Sequence, residues 1–484
     1  MTSTGPLPPS PSLTPASRRG ATVLAVILGA QFMVIIDETV VNVALPSMQR
    51  DLHLDEGQLS WIVNAYLLLF GGFLLLAGRM ADILGRRRVF LAGLTVFTTA
   101  SLVAGFADGH ALLVAMRAVQ GLGGAMLSPA ALSILTTTFR DPGPRRVALA
   151  GWAGLLGLGA TLGVLLGGVI VEYLDWPWIF WVNGPVGVLV LVACLIVVPD
   201  TPPDHGGGLD VPGAALVTGA GLLLVFTVIR TDEHGWTSAT TLGGLATVAA
   251  LVTAFVLWQR RTPRPLIPAE TVARRHAVAY PVAVLTASAL FATFFFLTLY
   301  MQTVLGWSAL KTGLAWAPQG AALALVSGLA ARLVPVLGAR ILTASGLLVA
   351  AGAQLFLLRT TVTGSYPSQI LPALLLNAFG LGLGLVPLAA VAVHGLADAH
   401  HGLASGLLTS SQQLGGAVGL SVLVSVVVTT FHNRLGEGIA APQASVTAFH
   451  TGFATSAGLM LAASVIAWFM PPLREKVDMT DLAA

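Results

Sequence analysis

Two acidic residues, Asp37 and Glu38, lie side by side in an apolar stretch that runs from Met33 to Pro46. A carboxylate in such surroundings is costly to keep charged, so it must meet water, find a basic partner or take up a proton. This pattern predicts a proton carrier, and the alternative is an acid locked to a base for packing alone. Neighbouring residues point about 100° apart around a helix. The two carboxylates therefore cannot face the same surroundings equally well.

Arg117 is the basic residue that could meet this acid, because no other Lys or Arg falls within the body of an apolar run. At 1.5 Å of rise per residue, the depths of Arg117 and Asp37 differ by about 5 Å, so their side chains can meet. A guanidinium next to an acid favours the charged carboxylate, and its withdrawal favours the protonated acid. The pair is therefore a candidate for proton coupling, with a static ion pair as the alternative.

Residues for other chemistry are missing from the apolar runs. The apolar runs contain no plausible set of nucleophile, base and orienting residue for an enzyme. The ten histidines show neither His-x-x-x-His nor His-Glu-x-x-His spacing, so a metal ion finds no helical ligand pair. The single cysteine, Cys194, cannot form a disulfide within one chain. We expect no catalytic residue, no metal site and no cofactor, and an activity driven by a proton gradient.

The composition shows which elements position these residues. Of 484 residues, 55% are hydrophobic and 9% charged, and the mean hydropathy is +0.85, values that exclude an ordinary soluble surface. The 24 Lys and Arg residues are scattered between apolar runs, which indicates membrane topology rather than nucleic-acid binding. A helix that crosses a bilayer needs about 20 apolar residues. Runs of that length predict an all-α membrane protein with fourteen transmembrane helices, the first at about 21 to 45.

The arginine clusters give the orientation. Arg86 to Arg88, Arg145 with Arg146, and Arg260 with Arg261 fall in alternate loops. Positive charge is retained on the cytoplasmic side, so we expect a multi-pass protein of the cell inner (cytoplasmic) membrane with both termini in the cytoplasm. Its expected partners are lipid, protons and a small lipophilic substrate, and we expect it to function as a monomer.

A weak internal repeat divides the chain. The loop from Gly78 to Arg88 and the loop from Gly328 to Arg340 both show a glycine, a charged residue four positions later, and then glycine and arginine. This indicates two six-helix halves that act by alternating access. The predicted domains are a disordered cytoplasmic tail at 1–20, a bundle at 21–200, a linker with two inserted helices at 201–275, a bundle at 276–472 and a cytoplasmic tail at 473–484.

Two further groups of residues could serve movement. In the first of the repeated loops, Asp82 is either neutralised by the arginines after it or acts as a latch at a helix N-terminus in the other half. The candidate gate residues are Gly78, Asp82, Gly85, Arg86 and Arg87. In the fifth run, small residues allow close helix approach, and packing is their default role. The glycines concerned are Gly159, Gly163, Gly167 and Gly168.

Several motifs in chain order resemble those of one family. They are Asp37 to Pro46, Trp61 to Tyr66, the loop at 78–88, Arg117 to Gly121, Tyr300 to Gln302, Gly402 to Gly406 and Gln413 to Gly416. Over nearly its whole length the chain resembles the fourteen-span drug:proton antiporter family (EmrB/QacA type) of the major facilitator superfamily. The resemblance implies the major facilitator fold, two six-helix bundles plus two inserted helices, and it favours Asp37 over Glu38. One departure is Val164, where the family motif has proline.

The expected function is proton-coupled export of lipophilic or cationic drugs and antibiotics. The alternatives are a dedicated exporter of a self-made antibiotic or lipid and, less favoured, an enzyme or scaffold in the membrane. The second half has no acid in the body of its runs, so singly charged or neutral compounds should be preferred over dications. Packing against lipid is an alternative role for the phenylalanines of the cavity. The candidate cavity residues are Asn42, Trp61, Asn64, Tyr66, Gln120, Phe291, Phe294, Tyr300 and Gln413.

Overall fold

Helices are the expected form of the apolar runs, because lipid offers no hydrogen-bond partner and a helix satisfies its own backbone. The computed structural model describes residues 17–139, 141–198, 210–231, 235–263, 265–267, 277–394 and 398–471, which are largely helical and include no strand. The all-α prediction is therefore confirmed. Nearly all of the two predicted tails, at 1–20 and 473–484, lies outside the described residues.

The described residues form a series of α-helices joined by short connections. In chain order they are α1 (Arg18–Asp51), α2 (Glu56–Leu84), α3 (Arg86–Ala104), α4 (His110–Thr138), α5 (Pro142–Leu174), the short α6 (Trp178–Trp181), α7 (Asn183–Val197), α8 (Val211–Ile229), α9 (Ala239–Arg261), α10 (Ala279–Leu299), α11 (Ala309–Leu337), α12 (Ala339–Phe356), α13 (Leu371–Val393), α14 (Asp398–Gly436) and α15 (Ala441–Ala467). A π-helical turn, Tyr300–Val304, follows α10, and another, Tyr366–Ile370, precedes α13.

Among the described residues, thirteen of the fourteen predicted spans are present as apolar helices of sufficient length to cross a membrane. The remaining long helix is α5, with 33 residues and an apolar part at Thr161–Leu174. Several helices extend beyond their apolar runs: α1 covers Arg18–Asp51 rather than 21 to 45, because the Ser17 hydroxyl caps its start by accepting from the Gly20 amide at 3.1 Å. Capping of this kind continues a helix into polar sequence.

The repeated loop at 78–88 is largely helical, which corrects the sequence prediction. Gly78 and Asp82 belong to the last turns of α2, and Arg86 and Arg87 to the first turn of α3. Only Gly85 lies between the two helices, with φ of 100°. Glycine tolerates positive φ because it has no Cβ, so one residue is enough to reverse the chain direction here.

Helices α1–α7 form the first bundle and α10–α15 the second, and the same kind of helix crossing occurs in both. A Cβ on Gly93 of α3 would lie 2.8 Å from the carbonyl oxygen of Gly123 on α4. In the second bundle, a Cβ on Gly346 of α12 would lie 2.6 Å from the carbonyl oxygen of Gly380 on α13. Glycine pairs let two helix backbones touch. The two crossings occupy corresponding places in the order of helices, in keeping with an internal repeat.

The glycines of α5 serve two different contacts. Gly159, Gly163 and Gly167 pack against α1, where an added Cβ would press on Ile35, Thr39 and Val40 respectively. Gly168 instead lies against the second bundle, where an added Cβ would be 2.9 Å from the Ala309 carbonyl oxygen. Next to it, Gly313 of α11 packs on the Val164 carbonyl. Most of this glycine face therefore holds the first bundle together, and its last residue joins the two bundles.

The first inserted helix, α8, is anchored near its middle and just beyond its end. The Thr218 hydroxyl donates to the Gly72 carbonyl of α2 at 3.0 Å, and the Thr231 hydroxyl lies 3.0 Å from that of Ser425 on α14. Helix α8 therefore contacts both the first and the second bundle.

Asp210, just before α8, ties the two inserted helices to the segment that follows them. Its buried carboxylate accepts from the Gly213 and Leu266 amides and from the side chains of Trp258 and Gln259, at 2.5 to 3.1 Å. Burial alone would raise the pKa of this carboxyl, but the four donors outweigh it and hold the pKa below its ordinary value.

Candidate functional site

The centre of the first bundle is an ion pair between Asp37 of α1 and Arg117 of α4. The Arg117 guanidinium donates to Asp37 Oδ2 at 2.5 Å, and each side chain is only 1% exposed. From the sequence we expected these two residues to lie at similar depth and to meet, and in the structure their side chains are in contact. A buried pair of this kind is stable only when its remaining hydrogen-bonding positions are also satisfied.

Both partners are satisfied by further contacts. Asp37 Oδ1 accepts from the Gln120 and Asn183 amides, each at 3.0 Å. Arg117 donates to the Ile62 carbonyl at 3.1 Å and to Gln120 Oε1 at 3.1 Å, and its guanidinium lies 4.4 Å from the ring centroid of Tyr66. A ring face attracts a guanidinium electrostatically. The acid thus has three donors, and the base is held from three directions.

Asn183 extends this network to two more helices, and sequence reasoning missed it. Its amide, on α7, donates to Asp37 and also to the Ser101 hydroxyl of α3 at 3.0 Å; Ser101 in turn donates to the Phe180 carbonyl at 2.9 Å. The available signal was an amide inside the apolar run at 178–199. What it binds depends on how α7 packs, which spacing along the chain does not give.

Glu38 has quite different surroundings from its neighbour. It is partly exposed, and within the described residues its carboxylate accepts one hydrogen bond, from Gln413 Nε2 at 3.3 Å. Gln413 lies on α14 in the second bundle. One turn further along α1, the Asn42 amide donates to the backbone carbonyl of Glu38 at 3.0 Å. The Glu38 carboxylate therefore lies at the boundary of the two bundles, whereas that of Asp37 points into the first bundle.

Most of the predicted cavity residues fall into three groups: those in the ion-pair network, those where α2 meets α14, and the aromatic residues of the second bundle. Gln120 and Tyr66 belong to the ion-pair network and are completely buried, so they lie inside the first bundle rather than between the bundles. Asn64 and Gln413 lie where α2 meets α14, and the Asn64 amide donates to the Ser421 hydroxyl at 2.9 Å. Trp61, an earlier residue of α2, is partly exposed.

The other three aromatic candidates belong to the second bundle. Phe294 packs edge-on against Trp316 with ring centroids 4.5 Å apart, and Phe291 lies where a Cβ on Gly416 would meet it at 2.7 Å. Tyr300 is fully buried near the end of α10, where its hydroxyl donates to the Thr361 carbonyl at 2.7 Å. The packing of Tyr300 places it away from the boundary between the bundles.

The latch hypothesis stays a prediction, because the surroundings of the Asp82 side chain and of Gly402 lie outside what the structure describes. Of the other gate residues, Arg87 donates to the Leu195 carbonyl of α7 at 2.6 Å. This contact ties the start of α3 to the end of α7 within the first bundle.

Comparison with known proteins places the chain in a family. The model of the family described as the Major Facilitator Superfamily matches residues 27–420. The chain belongs to the Major Facilitator Superfamily. Solved structures have the same fold at low identity: the POT family transporter PepTSo gives a TM-score of 0.68 at 15% identity, covering 93% of this chain and 97% of its own. The human organic anion transporter MFSD10 gives a TM-score of 0.61 at 20% identity, covering 93% of this chain and 100% of its own.

Nearer relatives within the superfamily match along almost their whole length. The puromycin resistance protein pur8 of Streptomyces alboniger is 38% identical over 470 residues, which is 95% of this chain and 93% of the relative. The cephamycin export protein CmcT of Amycolatopsis lactamdurans is 40% identical over 473 residues, 95% and 94% of the two chains. The lincomycin resistance protein of Streptomyces lincolnensis is 36% identical over 82% of each chain.

Proposed function

We propose that this superfamily member is a proton-coupled antiporter that exports lipophilic or cationic antibiotics across the cytoplasmic membrane by alternating access. Support for the substrate class comes from relatives named for puromycin, lincomycin and cephamycin, which match over most of the chain. Support for proton coupling comes from one observation: two neighbouring carboxylates on α1, one paired with Arg117 inside the first bundle and one bonded to the second. Acids inside a membrane protein mark proton and ion pathways.

A resistance assay tests this proposal. Cells that lack their own major exporters would express the protein and be exposed to puromycin, lincomycin, tetracenomycin C and a cephamycin, each with and without a proton uncoupler. We expect protection against at least one compound, accompanied by lower intracellular accumulation that the uncoupler abolishes. Protection that survives collapse of the proton gradient would rule out proton coupling, and no protection against any compound would remove the antibiotic substrate class.

A dedicated exporter of one self-made compound is the second candidate. Three of the relatives are named for a single antibiotic each, which favours this narrower specificity. The same four compounds separate the two: protection against one compound alone supports a dedicated exporter, whereas protection against several unrelated compounds supports a broad one.

The charge of the substrate gives a further test. The middle turns of α10–α15 carry no Asp or Glu among the described residues, and an ion in a low-dielectric site needs a partner for each charge. We expect protection against the monocation ethidium and none against a bisamidine dication of similar hydrophobicity. The reverse preference would show that the cavity offers more negative charge than the α1 carboxylates supply.

A further inference from the structure

The two carboxylates of α1 differ in how freely each can exchange a proton. A proton on Asp37 would have to displace at least one of three donors, and loss of the Asp37 charge would leave Arg117 buried without a counter-ion. Removing one charge of a buried pair is unfavourable because the other charge then lacks its partner. Arg117 is also fixed by the Ile62 carbonyl and Gln120, which opposes its withdrawal. Asp37 is therefore built to stay charged.

Glu38 has none of these restraints. Its one hydrogen bond, at 3.3 Å, comes from across the boundary between the bundles. It lies 20 residues after Arg18 and 13 before Asp51 in α1, or about 30 Å and 20 Å from the two ends of the helix. This carboxylate is thus deep within the span, partly exposed, and attached to a residue that moves relative to it whenever the two bundles move.

Gln413 matches both protonation states of this acid. Its side chain is 7% exposed; its Nε2 donates to Glu38, while its Oε1 is buried with no hydrogen-bond partner among the described residues. An amide can donate to a carboxylate and can accept from a carboxylic acid. A buried acceptor without a partner is unfavourable, and the O–H of a protonated Glu38 would satisfy it. The contact can therefore tighten on protonation.

We propose that Glu38, rather than Asp37, is the carboxylate that exchanges a proton for a substrate cation, with Gln413 as its partner across the bundles. This inference rests on the proposed antiport function and divides the roles within it. Asp37 and Arg117 are positioning residues that hold α1, α4 and α7 together. Glu38 neutralises one positive charge of the substrate when ionised; when protonated, it no longer holds the cation and its contact with Gln413 tightens.

The exchange balances one charge against one charge. When the substrate cation leaves on the outer side, a proton from that side forms an O–H bond on a Glu38 carboxylate oxygen, and this acid pairs with Gln413. After the bundles rearrange, the O–H bond breaks as the next cation arrives, and the proton passes to water on the cytoplasmic side. No electron is transferred and no other reactant is needed.

The charged surroundings of Glu38 agree with a single exchanging site. The ionisable groups near it are Asp37, Arg117 of α4 and the hydroxyl of Tyr66 on α2, which is buried without a hydrogen-bond partner among the described residues. The central turns of α5, α7, α10, α11 and α14 bring no ionisable side chain towards it in the part of the chain that the structure describes. Because Asp37 and Arg117 compensate each other, Glu38 supplies the net negative charge.

Proton release on ligand binding is the decisive measurement, with ethidium as a probe whose charge does not change with pH. The purified protein in weakly buffered detergent solution would receive ethidium, and a pH indicator would report released protons. We expect release from the wild type, together with ethidium affinity that falls about tenfold per unit of acidification below the pKa of the exchanging group. Glu38→Gln should abolish both the release and the pH dependence.

Transport in proteoliposomes separates coupling from movement. Glu38→Gln should lose ethidium transport driven by a pH gradient but keep ethidium–ethidium counterflow, because the helices can still alternate. Glu38→Asp should restore part of the driven transport, and Gln413→Leu should shift the pH profile of ethidium binding while leaving proton release in place. The matched control is Glu172→Gln, the same change at an exposed position of α5, which should behave as the wild type.

Each other outcome has a definite meaning. If Glu38→Gln still releases protons, or if Asp37→Asn is folded and abolishes release while Glu38→Gln does not, the assignment to Glu38 is wrong. If Asp37→Asn does not fold, the positioning role of Asp37 is supported and Glu38→Gln alone decides the inference. If the wild type shows neither ethidium binding nor gradient-driven transport, the proposed function itself fails, before any variant is compared.

Discussion

The two bundles have similar helix crossings but different polar centres. In the first, α1, α3, α4 and α7 meet at the Asp37–Arg117 pair and its amide donors. In the corresponding place in the second, α10, α12 and α13 meet at three neutral side chains. The Thr293 hydroxyl lies 2.9 Å from Gln354 Oε1, and the Gln354 amide donates to Asn377 at 3.3 Å.

This difference shows what a repeated architecture leaves free to vary. The glycine crossings Gly93–Gly123 and Gly346–Gly380 fix how the helices approach in each half. The polar group between them can be ionic or neutral as long as its hydrogen bonds are satisfied. With the buried ion pair in one half, the proton or cation of the proposed antiport would act on one bundle and reach the other through contacts such as Glu38–Gln413.

The largest effect is expected from breaking the ion pair. Arg117→Leu leaves the Asp37 charge buried with amide donors only, which should lower the free energy of unfolding by about 3–5 kcal/mol. The single cysteine offers a measurement, because Cys194 is fully buried and a thiol-reactive dye reaches it only on unfolding. The temperature at which the dye reacts in detergent should fall clearly below that of the wild type.

The neutral double variant is the control for this prediction. Asp37→Asn combined with Arg117→Gln removes both charges at once, and replacement of a whole buried pair is often close to neutral. We expect the double variant to recover most of the stability lost by either single change. If the two losses simply added, the pair would not act as a unit and the contrast between the bundles would lose its basis.

A smaller effect is expected at Asp210, a buried acid whose described partners are all neutral. Asp210→Asn keeps one accepting oxygen but removes the charge and the second acceptor, which should lower the free energy of unfolding by about 1–3 kcal/mol in total. The folded pKa of Asp210 is lowered from its ordinary value of 3.8, so its contribution is complete above that pH and is lost as the pH falls through the lowered pKa. Unfolding temperatures recorded by tryptophan fluorescence from pH 7 to pH 3 should differ less between wild type and variant at the acid end than at pH 7. A constant difference would contradict the shift.

The neutral centre of the second bundle should tolerate change better. Gln354→Leu removes one hydrogen bond to Thr293 and one to Asn377, and the Thr293 hydroxyl keeps its bond to the Ala289 carbonyl at 2.6 Å. The expected loss is about 1 kcal/mol, measured by the same dye reaction. A loss as large as that of Arg117→Leu would show that the two centres are equivalent in stability despite their different charge.

The smallest effect is expected for an ion pair on the surface. Arg434 in the last turn of α14 and Glu437 just after the helix are 2.8 Å apart, with side chains 42% and 55% exposed. Solvent and salt screen such pairs, so Arg434→Ala should cost about 0.5 kcal/mol or less. A dye-reaction temperature well below that of the wild type would mean that this end of α14 has a further role in the fold.

Much of the fold could be predicted from the sequence because lipid imposes strict requirements on a chain. Apolar runs of span length must become helices, so fourteen spans and the depth of Asp37 and Arg117 follow from counting residues. The exact ends of the helices could not be found by counting residues, because capping by Ser17 and the turn at Gly85 depend on local hydrogen bonds and one backbone angle. Glycine spacing in α5 predicted close packing without indicating the partner helix.

The sequence by itself therefore determined the class of protein, the membrane-embedded acids and the base that pairs with one of them. Only the tertiary structure decided which acid is held in an ion pair and which accepts a single hydrogen bond from the other bundle. Asp37 and Glu38 are adjacent in the chain, but the 100° between neighbouring residues of a helix turns one towards Arg117 and Asn183 and the other towards Gln413. Those partners come from three other helices, and the distance between helices is set by packing rather than by position along the chain.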